Sequence, residues 1–420
     1  MPSFFRRRAG PAGSDDGFTR ARAPAAFGAM AWIALTGCGT GDGASRLDGV
    51  LRRDSAGVTV VVNQASGGPR VGQWSLRAPP LASIGSESDP VVGVTGALRL
   101  SDGRLVVADA SRSLRYYTAD GRPAGVVGRR GQGPGEFEHL AGVWLLHGDS
   151  LLAWDSRLDR VTVVAPTGAV ARQWRLFPPA GALRIHVAAV GRAGHLLVTT
   201  VADSFAGADR LSRAVERAFW LPSPDTRPAL VGRFAGRLYY TASNGNRAAV
   251  PLSGSSVFAV RGEAVYVAGP EDPELRAFRP DGSLTMVVRG AGTRRAVTGE
   301  HIALEREARI GAWRRELGST PNFPQIQAAL EEVPYPTHLP PYQQVYVDPS
   351  GFVWLQDFQA PGEEIARFQV LDSSGVFRAT ARMPPRFRVT HVGDRHIVGV
   401  RRDALEVERV EVYELIGRER

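Results

Sequence analysis

The sequence predicts an all-β chain, a six-bladed β-propeller with a helical insertion between blades 4 and 5. Three observations predict it. A unit of four short apolar runs recurs along the chain, turn signals such as Asp-Gly and Ser-Gly separate the runs, and the inner runs are almost continuously apolar. Self-similarity at this period marks a repeat-built architecture, and Asp-Gly turns favour hairpins. Runs that are apolar at every position need cover on both faces. Four antiparallel strands cannot supply that cover alone, but radial stacking of like sheets can, and it leaves only short protected edges.

The first unit reads Leu98 to Gly103, Leu105 to Asp109, Leu114 to Tyr117 and, past Asp120-Gly121, Ala124 to Val127. The second runs Val143 to Leu146, Leu151 to Asp155, Arg160 to Val164 and Val170 to Leu176. The fourth (from Val257) and fifth (from Val345) follow the same plan, while the third (Val187 to Tyr240) and sixth (Val389 to Leu415) are more degenerate. Together they place the propeller over about residues 57–416. Two further runs, Val58 to Asn63 and Trp74 to Leu76, are expected to close the ring by pairing with the last blade. The longest interruption, about 291–341, holds a helix capped by Thr298 and running to about Leu317, then a second short helix from Asn322 and a Pro-rich return.

The segment Gly131-Gln-Gly-Pro-Gly-Glu-Phe137, after a second strand ending in Asp109, resembles bacterial six-bladed propeller proteins related to NHL repeats. The run Tyr342 to Trp354 resembles them too. The resemblance implies fold; many such proteins are exported or lipid-anchored, and they share no uniform activity.

Residues 1–37 have the layout of a lipoprotein signal peptide. A leader with Arg6, Arg7, Arg8, Arg20 and Arg22 precedes the apolar stretch Ala25 to Leu35, then Thr36-Gly37 and Cys38, the sole Cys. That stretch is too short to span a hydrocarbon core, which takes roughly 20 helical residues. Leu35-Thr36-Gly37-Cys38 resembles a lipobox, so Cys38 is the expected lipidation site and membrane anchor. Gly39, where an Asp would resemble an inner-membrane retention signal, gives outer-membrane placement as the expectation. Residues 38–56 read as a flexible tether.

The net charge is +9, yet the chain has no Lys and its Arg residues are interleaved with Asp and Glu. A mixed, solvated surface follows, and no nucleic-acid partner is expected. The eight His are scattered without a zinc spacing, and no Gly-x-Ser-x-Gly elbow occurs.

Propeller topology puts the ends of second strands and the links between blades on one rim, the top. The expected contact residues there are Asp109, Asp155, Asp357, Gln132, Glu136, Trp313 and His338. Asp109, Asp155 and Asp357 could ring a Ca²⁺ ion, but such Asp residues more often accept backbone N–H groups. Spacing also suits ion pairs of Asp109 with Arg115 and Asp155 with Arg160. The expectation is a binding or scaffold lipoprotein that presents its top face to a protein, peptide or glycan, with no cofactor. The alternative is a metal-dependent hydrolase or lyase working in the central channel, as in propeller lactonases that the fold resembles.

Overall fold

The computed structural model describes residues 45–47, 49–64, 71–179, 182–202, 210–243, 245, 247–290, 294–317, 327–328 and 331–418. The chain divides into two units, Met1–Gly41 and Asp42–Arg420, and all described residues lie in the second. Cys38, the expected signal segment and most of the expected second insertion helix lie outside them.

Three strands lead: β1 (Ser45–Leu47), β2 (Val50–Ser55) and β3 (Val58–Asn63), followed by the long β4 (Gly72–Ile84). Blade one is β5 (Gly96–Arg99), β6 (Leu105–Ala108), β7 (Leu114–Tyr117) and β8 (Pro123–Val127). Blade two is β9 (Leu140–Leu145), β10 (Leu151–Asp155), β11 (Arg160–Val164) and β12 (Val170–Arg175). Blade three is β13 (Ala182–Val190), β14 (Leu196–Ala202), β15 (Leu211–Leu221) and β16 (Ala229–Thr241), with β17 (Arg247–Ala249) added outside. Blade four is β18 (Val257–Arg261), β19 (Ala264–Ala268), β20 (Glu274–Phe278) and β21 (Leu284–Arg289). After α1 (Gly299–Leu317), blade five is β22 (Tyr342–Val347), β23 (Val353–Asp357), β24 (Ile365–Leu371) and β25 (Phe377–Pro385). The last blade has β26 (Phe387–Val392), β27 (His396–Arg402) and β28 (Glu408–Ile416), and β4 supplies its fourth strand.

Burial follows the propeller logic. β6 and β10 are buried at every position, on both faces, while the outermost β8 and β12 are mostly exposed. A hydrophobic layer fills each gap between neighbours. Leu98 and Val106 of blade one meet Leu151 of blade two. Trp154 meets Val198 of blade three, and Leu197 meets Val265 of blade four. Tyr266 meets Leu355 of blade five, and Phe368 meets Phe387 of the last blade. The circle closes where Val398 and Val412 pack on Leu105 and Val107 of blade one. The inner strands of each blade are therefore covered on both faces by neighbouring sheets.

Of the two expected closing segments, one pairs as expected and one does not. β4 runs antiparallel to β28, with Ala82 opposite Val412, and completes the last blade. Its first residues, Gly72 to Trp74, also pair in parallel with β25, so blades five and six share one hydrogen-bonded sheet. β3 instead pairs in parallel with β21 on the outer edge of blade four. Asn63 fixes it there: its amide donates to the Gly375 carbonyl and accepts from the Phe377 N–H, so β3 is held between blades four and five. The tether expected over 38–56 is corrected in part, because β1 and β2 extend that same edge as an antiparallel meander.

The insertion behaves as expected where it is described. The Thr298 hydroxyl accepts the His301 N–H at 3.2 Å, and the His301 ring nitrogen accepts the Thr298 N–H, a reciprocal cap. The insertion is fastened at both ends of an arc along the top rim. Arg295 bonds Glu363 and the Phe358 carbonyl of blade five. Val333 packs with Tyr240 of blade three, and Glu332 accepts from Ser243.

The C-terminus locks the shared sheet. Arg418 reaches the Asp348 carboxylate at 3.0 Å, and Asp348 also accepts the Trp354 indole N–H and the Phe352 N–H. The guanidinium stacks on Phe352 and Trp74, at 4.6 and 5.4 Å from the ring centres. Burial pushes the Asp348 carboxyl up, and these donors hold against it. Removing one partner of a buried pair strands a charge, at a cost of about 3–5 kcal/mol. Arg418→Ala is expected to lower unfolding free energy by about that much in urea titrations, and adding Asp348→Asn should restore part of the loss. An unchanged urea midpoint would refute the lock.

Candidate functional site

Six innermost strands, one per blade, surround a central cavity of ≈ 950 Å³. The wall is built largely of small and β-branched residues such as Gly96, Ala141, Ala188 and Val345, which leave the axis open. Charge enters at the two ends.

At the upper end, where innermost strands begin, the last blade contributes Arg386, Arg388 and Arg402. Arg386 pairs with Glu406, and Arg402 with Glu408 at 2.8 Å. Arg388 has no carboxylate partner among the described residues: it donates to the Val94 carbonyl at 2.6 Å. Burial pushes its guanidinium down, and nearby Arg402 adds to that, against Tyr346 and Glu408. Blade five adds four Gln. Gln343 and Gln359 are used locally, the Gln359 N–H donating to the Gln343 amide oxygen and the Gln359 amide to the Glu363 carbonyl. Gln344 and Gln356 are register partners on β22 and β23, both line the cavity, and neither amide has a partner among the described residues. Tyr346, two residues along β22, donates to the Val389 carbonyl at 2.9 Å, which places this wall against β26. Trp144 folds its ring over Gly142, in space a Cβ would fill, and also lines the cavity.

At the lower end lie His147, Arg192, Arg261 and His391. Asp348 is the carboxylate among the lining residues, and Arg418 already neutralises it. The cavity thus carries excess positive charge at both ends.

The residues expected from sequence sit elsewhere; none of the seven lines this cavity. Asp155 is fully buried and accepts four backbone N–H groups, from Glu138, His139, Arg157 and Leu158, at 2.6–3.2 Å. Its oxygens are thereby filled, so the expected pair with Arg160 does not form. Arg160 instead donates to the carbonyls of Gln132 and Glu136. Asp109 does pair with Arg115, at 3.1 Å, and accepts the Ser111 N–H. Asp357 accepts from Gln369 at 2.9 Å, and burial pushes its carboxyl up. Glu136 is held below the usual carboxylate range by the Gly133 N–H and Arg129, while its neighbour Phe137 is core. Trp313 is half-buried on α1, and His338 is exposed beside Thr337. Among the described residues, no three His, Cys, Asp or Glu come together as a metal-holding group, and no helix is long and apolar enough to cross a membrane.

Sequence reasoning missed the cavity residues. A signal was present: Arg386-Phe-Arg-Val-Thr390 alternates polar with apolar and His391 adds a further polar residue, where an innermost strand is expected to be apolar throughout. Gln343-Gln344 interrupts β22 in the same way.

No family model matches the chain, and no curated protein matches it. Among solved structures, similarity reaches a Bacteroides fragilis protein described as exported, with 11% identity and a TM-score of 0.44 over 83% of this chain and 99% of that one. It also reaches virginiamycin B lyase from Staphylococcus aureus, with 11% identity and a TM-score of 0.38 over 82% of this chain and 100% of that one. A gluconolactonase from Xanthomonas campestris shares 14% identity, with a TM-score of 0.39 over 77% of this chain and 88% of that one. At these values nothing of their chemistry transfers.

Glu408 couples the upper mouth to the ring seam. It is 7% exposed and accepts the Val94 N–H at 2.8 Å as well as Arg402. Burial pushes its carboxyl up, but those two donors outweigh burial and leave it below the usual range. A carboxylate with a depressed folded pKa contributes stability above its unfolded value, near 4.3, and loses it as pH falls through the folded value. Glu408→Gln is therefore expected to cost about 1.5–3 kcal/mol at pH 7. The gap to the parent protein should shrink below pH 4, as followed by urea midpoints across pH. A gap independent of pH would contradict this.

Proposed function

We propose that this protein is an exported, lipid-anchored binding protein whose propeller channel takes an anionic ligand, an acidic oligosaccharide. The observation that carries the reading is Arg388, a guanidinium lining the channel that donates to a carbonyl and has no carboxylate in ion-pair distance among the described residues. It lines the same cavity as Gln344 and Gln356, whose amides have no partner among the described residues. A guanidinium matches a carboxylate's two oxygens, amides serve sugar hydroxyls, and the Trp144 ring offers an apolar face. The volume falls within the range of small-molecule sites, about 300–1,000 Å³. Export and anchoring rest on the leader and Cys38, with the binding head on the outer side of the membrane.

Two measurements test this. Calorimetric titration of oligogalacturonate should show binding that neutral galactose oligomers of equal length lack, and Arg388→Gln should weaken it at least ~10-fold, the scale of a lost charge-assisted bond. Equal affinity for acidic and neutral chains would sink the proposal. For the anchor, bacterial cells expressing the full chain should incorporate labelled palmitate and hold it in the membrane fraction, and Cys38→Ser should release an unlabelled soluble form. Labelling that persists in Cys38→Ser would refute lipidation at that residue.

A further inference from the structure

The lower mouth is built from the hairpins that join first and second strands, and these hairpins touch in series around the axis. Asp149 of blade two accepts from Ser101 of blade one, and the His147 N–H donates to the Arg192 carbonyl of blade three. Gly191 of blade three lies against Val260 of blade four, and Arg261 of blade four occupies the space beside Gly351 of blade five. Ser350 of blade five donates to Asp394 of the last blade at 2.6 Å. This ring carries cations. Arg99, Arg192 and Arg261 have no carboxylate within ion-pair distance among the described residues.

The His391 and His396 rings are neighbours, with centroids 5.8 Å apart and planes tilted by 31°. Arg192, from the other side of the ring, is within electrostatic reach of His391, and Arg99 of His396. The carboxylate facing both imidazoles is Asp394, which already binds Ser350. Burial and neighbouring cations push His391 down to about 3 and His396 to about 4. Both are therefore neutral imidazoles at neutral pH, each with one N–H to give. The His396 Nε2 atom is buried without a partner among the described residues.

We infer that this lower mouth is a second binding site, for a phosphoryl group, in which Arg192 and His391 are the donors that touch the ligand. His147 and Arg261 stand on the rim from two further blades. Donors that converge from blades two, three, four and six surround an acceptor instead of forking it from one side. A planar carboxylate offers its oxygens in one plane, whereas a tetrahedral oxyanion offers them all round. Arg99 lies behind His396 and sustains the positive field. The site is separate from the upper mouth and does not depend on the acidic-glycan reading.

The test is a titration of the folded chain with inorganic phosphate, followed by the ¹⁵N imidazole resonances of His391 and His396. Saturable shifts are expected that sodium chloride of equal ionic strength does not reproduce. Arg192→Gln should weaken phosphate binding at least 10-fold with an unchanged urea midpoint, and Arg388→Gln at the upper mouth should leave it unchanged. Shifts matched by chloride, or full affinity in Arg192→Gln, would overturn the site. Phosphate binding lost in Arg388→Gln alone would overturn it too, leaving the upper-mouth reading standing. Sedimentation with phosphatidylglycerol vesicles separates the sources. Co-sedimentation that Arg192→Gln abolishes assigns a lipid headgroup, and phosphate binding without co-sedimentation assigns a free phosphorylated compound.

Discussion

The structure depends on closure of the ring at the seam between the last blade and the first. The chain delivers three strands to the last blade from its C-terminal end and borrows the fourth, β4, from before blade one. Without that strand, β28 would present an open edge, and the layer of Val398, Val400, Val410 and Val412 against Leu105 and Val107 would lose its outer support. The closing energy is mainly burial of apolar surface, at about 25 cal/mol per Å². Its register is set by polar contacts: Val94 gives its N–H to Glu408 and its carbonyl to Arg388.

That seam also shapes the channel. Glu408 and Arg388 both touch Val94, so the groups that join blade six to blade one stand at the upper mouth. A covalently linked ring forces each innermost strand to turn one edge to the axis, where no further sheet can cover it. Small residues on most of those strands keep the axis open, and polar residues on β22 and β26 give it character. The elaborations lie elsewhere. The insertion and the long hairpin of blade three meet through Val333 and Tyr240 on the top rim, and no described residue of the insertion lines the cavity.

The repeat could be read because its cause is local. A strand buried on both faces must be apolar at each position, and a two-residue reversal needs Gly or a similar residue, so Leu105 to Ala108 and Asp120-Gly121 announce themselves. Thr298 as helix cap is local for the same reason. The pairing of Asp109 with Arg115 was readable from spacing; that of Asp155 with Arg160 was not. The oxygens of Asp155 are taken by N–H groups of Glu138 and His139, which lie 17 and 16 residues away in sequence. Likewise β3 was readable as a strand but not as a neighbour of β21, since its partner is fixed by Asn63 bonding across 312 residues.

Composition and periodicity by themselves determined the all-β class, the unit of four strands and the place of the helical insertion. Each of these is a property of neighbours along the chain. The tertiary structure alone decided which side chains face the axis, and so moved the candidate site from strand-end Asp residues to Arg388, Gln344, Gln356, Arg192 and His391. The physical reason is that a channel is made by six strands at once, and no single strand's sequence says which of its faces the other five leave open.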